Sequence, residues 1–302
     1  MKIVGWIGLI IFSLGVADLR ADDLAVMTFN IRNSNAHDGV NAWPNRRELF
    51  FRTIEAFDPD LLGLQEVLPL QGTQIKEQFE SKYDFVGVPR DDGKTRGEMA
   101  AVLFRRDRFE KMNEGHFWMS ATPDVVGSKG WDADLPRIVT WVELRDRKTD
   151  NQRLFFFNTH WDHKGVRARL ESAGLMRRKI SEIAKDAPVV ITGDFNAPEA
   201  SPPYNRMLAH GEWDGIGLGL FDSYRIIHPS PAADEFTAHP FTGKSDQPNR
   251  IDWILHTGHF RTRMAQIDRT NDNGRYPSDH FPVEAKLAWD VKPAETTQPA
   301  KN

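Results

Sequence analysis

Short polar motifs stand at the ends of apolar runs along this 302-residue sequence, and they supply carboxylate, carboxamide and imidazole groups. Carboxylate and amide oxygens are the ligands that hard divalent cations prefer. Such a cation beside an attacking water is the usual machinery of phosphate-ester hydrolysis. The candidate residues are Asn30, Glu66, His160, Asp194, Asn196, Asp252, Asp279 and His280.

The sequence Gly-Asp-Phe-Asn at 193–196 follows the apolar run 189–192. If that run is a strand, Asp194 lies at its end, Phe195 points to the opposite face and Asn196 returns to the side of Asp194. A carboxylate and a carboxamide then face one pocket. The alternative interpretation is a simple turn, because glycine, aspartate and asparagine are common turn residues.

Glu66 and Asn30 also follow apolar runs, at 61–64 and 26–29. A glutamate that ends a buried strand needs a partner, because an unpaired buried carboxylate is costly. That partner is either a metal ion or an arginine. Taken alone, Asn30 fits a cap or a turn better than it fits a metal ligand.

Asp252 lies in an apolar strand, and the pair Asp279 and His280 precedes another. An aspartate bonded to one imidazole nitrogen fixes the tautomer, so that the other nitrogen faces the substrate. A rival metal chemistry is indicated by Thr-His-Trp-Asp-His at 159–163, which is close to the His-x-His-x-Asp-His zinc motif of metallo-β-lactamase-like hydrolases. Position 158 is asparagine instead of the first histidine of that motif, which argues against zinc.

Runs of strand length predict at least one large sheet. They cover residues 24–29, 60–64, 83–88, 99–104, 138–144, 154–158, 189–192, 251–255 and 283–287. One helix is predicted to begin near Pro44, and a second spans 166–183, where apolar residues recur every three or four positions. We expect Arg177 on the solvated face of the second helix, and Arg167 and Arg169 beside a phosphate site.

The strands at 154–157 and 189–191 are apolar at nearly every position, which predicts burial on both faces and a helix, sheet, sheet, helix layering. The long loops at 117–137 and 222–249 are expected to carry specificity. Aromatic residues expected near the rim of the site either stack on bases or sugars or simply pack, and these are Trp118, Trp131, Trp161 and Phe241.

The composition, 40% hydrophobic and 27% charged, is typical of a soluble globular protein. Residues 1–21 resemble a secretory signal peptide, and an uncleaved membrane anchor is the alternative, although the apolar run is shorter than the roughly 20 residues of a membrane span. We therefore expect export to the periplasm or outside the cell, with a catalytic domain at 22–289. Residues 290–302 lack periodicity and are expected to form a flexible tail.

The absence of cysteine excludes disulfides, thiol nucleophiles and cysteine-ligated zinc or iron–sulfur sites. Removal of residues 1–21, which carry Lys2, Arg20 and Asp18, changes the formal net charge from −4 to −5. An acidic chain has no global attraction for a polyanion, which argues mildly against a nonspecific nuclease. A local basic cleft is still compatible with this charge.

Taken in order, the polar motifs resemble those of the endonuclease/exonuclease/phosphatase superfamily, which has the DNase I-like fold, and the resemblance runs from about Leu24 to Ala288. Asn-Thr-His at 158–160 and the segment 97–104 are similar to the sphingomyelinase and deadenylase branches. The segments Trp-Pro-Asn-Arg-Arg at 43–47, Phe-Trp-Met-Ser at 117–120 and Leu-Pro-Arg-Ile at 135–138 resemble a group of exported bacterial metal-dependent hydrolases.

This resemblance implies an α/β fold, a four-layered α/β/β/α sandwich with two mixed sheets flanked by helices. It also implies that Glu66 is the main ligand of Mg²⁺ or Mn²⁺, that Asn30 assists, and that Asp279 acts through water.

The same resemblance implies the catalytic roles. His280, oriented by Asp252, polarises the attacking water or binds a phosphate oxygen. Asp194 positions or deprotonates the nucleophile, while Asn196 and His160 hold the non-bridging oxygens as charge builds on them.

The expected function is therefore metal-dependent hydrolysis of a phosphodiester or phosphomonoester, with a small molecule or a lipid headgroup as the favoured substrate. A secreted nuclease acting on DNA or RNA is the alternative, and a binding module on an inactive scaffold is more remote. We expect a monomer, with no stable membrane insertion of the mature chain.

Overall fold

The computed structural model describes residues 23–209, 215–247 and 249–290. The predicted signal peptide at 1–21 and the predicted tail from residue 291 onward lie outside the described residues. Among the described residues, no helix has the length and apolar character needed to cross a membrane.

Two six-stranded sheets form the centre of the described structure. The strands are β1 (Leu24–Asn30), β2 (Leu61–Val67), β3 (Tyr83–Val86), β4 (Met99–Arg105), β5 (Phe109–Trp118), β6 (Ile138–Asp146), β7 (Gln152–His160), β8 (Val189–Asp194), β9 (Leu220–Asp222), β10 (Asp252–Thr257), β11 (Phe260–Ile267) and β12 (Val283–Trp289). The helices are α1 (Trp43–Phe57), α2 (Pro69–Gln78), α3 (Val166–Ala184), α4 (Pro202–Met207) and α5 (Ser223–Ile227). The strand order is β11-β12-β1-β2-β4-β3 in one sheet and β5-β6-β7-β8-β10-β9 in the other.

Alternate residues of each central strand pack into different layers, as the two-residue period of a strand requires. In β1, Val26 packs between the sheets, whereas Met27 packs against α1. In β7, Phe156 lies between the sheets and Phe157 packs against α3. The near-continuous apolar runs therefore follow from burial on both faces, and the predicted four-layered α/β/β/α sandwich is confirmed.

A buried polar clamp joins the two sheets just beneath the ends of their strands. Asn158 of β7 donates hydrogen bonds from Nδ2 to one carbonyl of β2 at 2.9 Å and to one of β4 at 2.8 Å. Its Oδ1 accepts from Gln65 Nε2 at 2.7 Å and from Thr192 Oγ1 at 3.0 Å. Gly63 is needed for this close approach, because a Cβ there would lie 2.0 Å from Thr192 Oγ1. The clamp fixes how the strand ends of the two sheets meet.

Candidate functional site

Three candidate residues lie side by side because of the register of the second sheet. β7 runs parallel to β8 and pairs His160 with Asp194, and β10 runs antiparallel to β8 and pairs Asp252 with Asp194. In the first sheet, parallel pairing of β1 with β2 places Asn30 opposite Gln65, beside Glu66. The ends of the central strands of both sheets thus converge.

Glu66 occupies an irregular position in β2, where the pairing with β4 shifts register and its own φ is +62°. Its Oε1 accepts a hydrogen bond from Asn30 Nδ2 at 3.1 Å, and its Oε2 accepts from the backbone and side-chain nitrogens of Asn33, both at 2.9 Å. Burial opposes ionisation, but these hydrogen bonds hold the pKa of the Glu66 carboxyl below its ordinary value. The site therefore contains an ionised, preorganised carboxylate.

Asp194 lies at the centre of the site and is 1% exposed. Its Oδ2 accepts from Asn30 Nδ2 at 2.9 Å and lies 3.4 Å from His160 Nε2, and its Oδ1 accepts from the backbone nitrogen of Asn196 at 2.9 Å. Burial, together with the nearby carboxylate of Asp252, raises the pKa of Asp194 to about 7. A carboxylate with this pKa is suited to accept a proton near neutral pH.

His280 is held between two carboxylates. Its Nδ1 lies 2.9 Å from Asp252 Oδ2, and its Nε2 lies 3.9 Å from Asp194 Oδ2. Burial disfavours the charged imidazole, but Asp252 outweighs it and raises the pKa of His280 well above the ordinary value. The structure thus contains the contact between His280 and Asp252 that the family resemblance implies.

The remaining candidate residues surround this group. Burial and a nearby arginine pair lower the pKa of His160 well below its ordinary value, so its imidazole is neutral. Asn196 adopts a left-handed backbone with φ of +47° and donates from Nδ2 to the carbonyl of Trp161 at 3.0 Å. Asp279 Oδ2 lies 3.5 Å from an Arg32 nitrogen, and burial raises the pKa of the Asp279 carboxyl.

A cavity of about 330 Å³ contains most of these groups. It is lined by Arg32, Asn33, Glu66, Arg90, Glu98, Leu135, Arg137, His160, His163, Asp194, Asn196, Asp279 and His280. Sequence reasoning missed six polar members of this lining because they lie on loops, and these are Arg32, Asn33, Arg90, Glu98, Arg137 and His163. The available signal was that Glu98 and Arg137 lie in the family-like segments 97–104 and 135–138 and that His163 lies in 159–163. No quoted segment contains Arg32, Asn33 or Arg90.

A second cavity of about 580 Å³ adjoins the first and shares His163, Asn196, Asp279 and His280 with it. The predicted loop 222–249 supplies much of its lining, including His239 and Ser245. The walls are rich in hydroxyl, amide and charged side chains, which suits a polar ligand.

The expectations for the rim aromatics and for the arginines of α3 had mixed outcomes. Trp118 and Trp161 are buried and pack in the core, which is the second of the two alternatives given for them. Arg169 lines the second cavity, whereas the side chain of Arg167 is 70% exposed and lines neither cavity. Arg177 is buried rather than solvated, and it donates to backbone carbonyls beyond α4 and before β9.

The donor groups fit a divalent cation. Glu66, Asp194 and Asp279 line one cavity, and the raised pKa values of Asp194 and Asp279 reflect negative charge that burial leaves poorly compensated. Asp194, Asp252 and His280 also offer ligand atoms within 4.8 Å of one another. A metal held there would compete with the bond between His280 and Asp252, so the Glu66 side of the cavity is the better location.

Comparison with known proteins identifies the family. The endonuclease/exonuclease/phosphatase family model matches residues 27–280. The chain belongs to this family. Its members are hydrolases of phosphoester bonds, as two solved structures with extensive coverage illustrate.

One of these structures is an endonuclease/exonuclease/phosphatase from Bacteroides vulgatus, 35% identical with a TM-score of 0.80 over 89% of this chain and 99% of that one. The other is a mannosyl-6-phosphatase from Bacteroides thetaiotaomicron, 35% identical with a TM-score of 0.77 over 88% and 100% of the two chains. An uncharacterised protein of Acanthamoeba polyphaga mimivirus is 31% identical over 166 residues, 53% of this chain and 61% of its own length. The chain thus spans less than two thirds of that viral relative.

Proposed function

We propose that this family member is a Mg²⁺- or Mn²⁺-dependent phosphoesterase that hydrolyses a phosphate ester of a small molecule by in-line attack of water. The main support is the placement of Asp194 between His160 and the His280–Asp252 pair, in the cavity that also contains ionised Glu66. Such a group of proton acceptors and donors beside a cation site suits hydrolysis at phosphorus.

Glu66 is the proposed main metal ligand, with Asn30 adjoining it and Asp279 acting through water. Asn33 and Asn30 already orient the Glu66 carboxylate, so little reorganisation is needed on binding. When bound, the cation stabilises negative charge on the phosphate oxygens and the leaving oxygen.

The chain's own residues perform the proton and charge handling. Asp194 accepts a proton from the attacking water, which its pKa of about 7 favours. His280, kept charged by Asp252, donates from Nε2 to a phosphate oxygen. Asn196 and His160 hold the non-bridging oxygens as negative charge develops on them.

A small substrate with a polar leaving group is favoured over a nucleic acid. The catalytic cavity is about 330 Å³, the adjoining cavity has a polar lining, and the chain has a formal net charge of −4. The similar mannosyl-6-phosphatase makes a sugar phosphate the first candidate. DNA or RNA is the alternative, because the family includes nucleases. We also propose export, directed by residues 1–21, with action as a monomer.

The test is a panel of p-nitrophenyl phosphate, bis-p-nitrophenyl phosphate, mannose 6-phosphate, inositol phosphates, sphingomyelin and supercoiled plasmid, assayed with Mg²⁺, Mn²⁺ or EDTA. We expect metal-dependent hydrolysis of at least one small ester, and its loss in Asp194→Ala. Preferential plasmid cleavage supports the alternative. If no substrate of the panel is hydrolysed with either Mg²⁺ or Mn²⁺, the proposal is contradicted.

A further inference from the structure

Two buried arginines line the catalytic cavity beside His160. We propose that Arg90 and Arg137 form a subsite for the additional charged oxygen of a phosphomonoester, so that the enzyme selects terminal phosphates over phosphodiesters. This inference rests on the proposed phosphoesterase function and names the substrate class of the same site.

Local contacts hold Arg90 in place. The residue is 6% exposed, its backbone nitrogen donates to the Glu98 carbonyl at 3.0 Å, and its own carbonyl accepts from Trp118 Nε1 at 2.6 Å. Its Nη1 donates to Glu98 Oε2 at 2.5 Å, whereas the buried Nε has no hydrogen-bond partner. The guanidinium is therefore fixed in position, and its Nε lies 3.9 Å from Asp91 Oδ1, too far for a hydrogen bond.

Arg137 is held in the same way from another loop. It is 3% exposed, with its Nε 3.4 Å from Asp162 Oδ2 and its Nη2 2.9 Å from His163 Nδ1. The buried Nη1 has no hydrogen-bond partner. Buried donors are rarely left unpaired, because each carries a desolvation cost of about 1–3 kcal/mol. Two buried arginines that line one cavity, each with an unpaired donor, indicate a ligand rich in acceptor oxygens.

Each arginine already has one carboxylate beside it, Glu98 for Arg90 and Asp162 for Arg137. The Asp162 carboxylate beside Arg137 also accepts backbone hydrogen bonds from Asp134, Lys164 and Gly165, so its charge is shared. Burial lowers the pKa of the Arg137 guanidinium, and neighbouring Arg90 lowers it further. An anionic ligand in contact with both arginines would offset the repulsion between their charges.

The chemistry of the two ester classes explains the selectivity. A diester has two non-bridging oxygens and one negative charge, whereas a monoester has three and carries a second charge near neutral pH. His280, Asn196, His160 and a metal suffice for two non-bridging oxygens. The third oxygen of a monoester would face Arg90 and Arg137 and bond to them. In a diester, the second ester group would occupy that place, and it would desolvate a guanidinium without bonding to it.

The experiment compares p-nitrophenyl phosphate with methyl p-nitrophenyl phosphate, a monoester and a diester that share one leaving group. Because a charged hydrogen bond contributes about 1.5–3 kcal/mol, Arg137→Gln should lower kcat/KM for the monoester by about 10- to 150-fold and for the diester by less than about 3-fold. Arg90→Gln should act in the same direction. The exposed Arg167 gives a matched control, and Arg167→Gln should change neither value.

Equal losses on both esters, or no loss on either, would overturn the subsite while leaving the phosphoesterase function intact. Binding of inorganic phosphate, measured by calorimetry, gives a readout that does not depend on turnover. We expect at least 10-fold weaker binding in folded Arg137→Gln, with a near-normal melting temperature showing that the variant folds. If Arg137→Gln does not fold, Arg90→Gln carries both measurements. Should the wild type hydrolyse neither ester, the full substrate panel decides the proposed function, and unchanged phosphate affinity in the variant would remove the subsite.

Discussion

Asp194 should make the metal-free protein less stable as the pH rises, and Asp194→Asn should remove this effect. The ordinary pKa of 3.8 is raised to about 7 in the folded protein by burial and by Asp252. The folded state therefore binds this proton more tightly than the unfolded chain does. The resulting stabilisation is fully present below pH of about 3.8 and is lost as the pH rises through about 7.

The size of the effect follows from these two values. The pKa of this carboxyl is 3.8 in the unfolded chain and about 7 in the folded protein. Its contribution to the free energy of unfolding therefore falls by about 2–3 kcal/mol between pH 5 and pH 8. Asparagine cannot titrate, so this loss is absent in the variant. Broken hydrogen bonds to Asn30 and Asn196 should cost the variant about 1–3 kcal/mol at both pH values, and this cost cancels in the comparison.

The assay is urea unfolding in EDTA at pH 5 and pH 8. We expect the free energy of unfolding of Asp194→Asn minus that of wild type to be about 2–3 kcal/mol more positive at pH 8 than at pH 5. The exposed Asp124 supplies a control, since Asp124→Asn should leave this difference near zero. A relative stability that is the same at both pH values would refute the assigned burial and charge of Asp194.

Three further predictions concern the metal, the proton donor and the scaffold. Glu66→Gln should weaken the affinity for Mg²⁺ or Mn²⁺, so raising the metal concentration should restore activity. A titration of activity with metal that matches wild type would contradict the ligand assignment. Asp252→Asn should lower kcat by on the order of 10²–10⁴, because His280 loses the carboxylate that keeps it charged, and near-normal turnover would argue against that role. Gly63→Ala should lower the melting temperature, with a cost of about 1–3 kcal/mol, because its Cβ would collide with a threonine hydroxyl of β8. Gly217→Ala, which has open space around it, should not.

The central strands of both sheets were predictable, whereas of the four edge strands only β3 was predicted. Strands such as β1, β7 and β8 are apolar on both faces, so a continuous apolar run in the sequence predicts each of them directly. Three strands absent from the prediction are β5, β9 and β11, and each lies at the edge of a sheet. Edge strands face solvent and often carry charged residues, and β11 carries Arg261 and Arg263. Helix α2 was also missed, because Ile75 is its one large buried apolar side chain.

The site was predictable where strands deliver its residues. Asp194 and His160 end their strands and Asp252 begins β10, and pairing of those strands brings the three residues together. Arg90 and Arg137 lie on loops that approach each other through long-range packing, which no local pattern records. The same limit explains the errors at the rim, since a tryptophan at a strand end has no local signal that separates core packing from exposure.

The most direct test of a metal-dependent site at Glu66 is a crystal structure of the protein with Mn²⁺ and inorganic phosphate, using anomalous scattering to locate the metal. We expect one strong peak about 2.0–2.3 Å from a carboxylate oxygen of Glu66, with phosphate between the metal and the side chains of Asp194 and His280. Manganese bound away from Glu66, or phosphate bound outside this cavity, would contradict a single metal-dependent hydrolytic site.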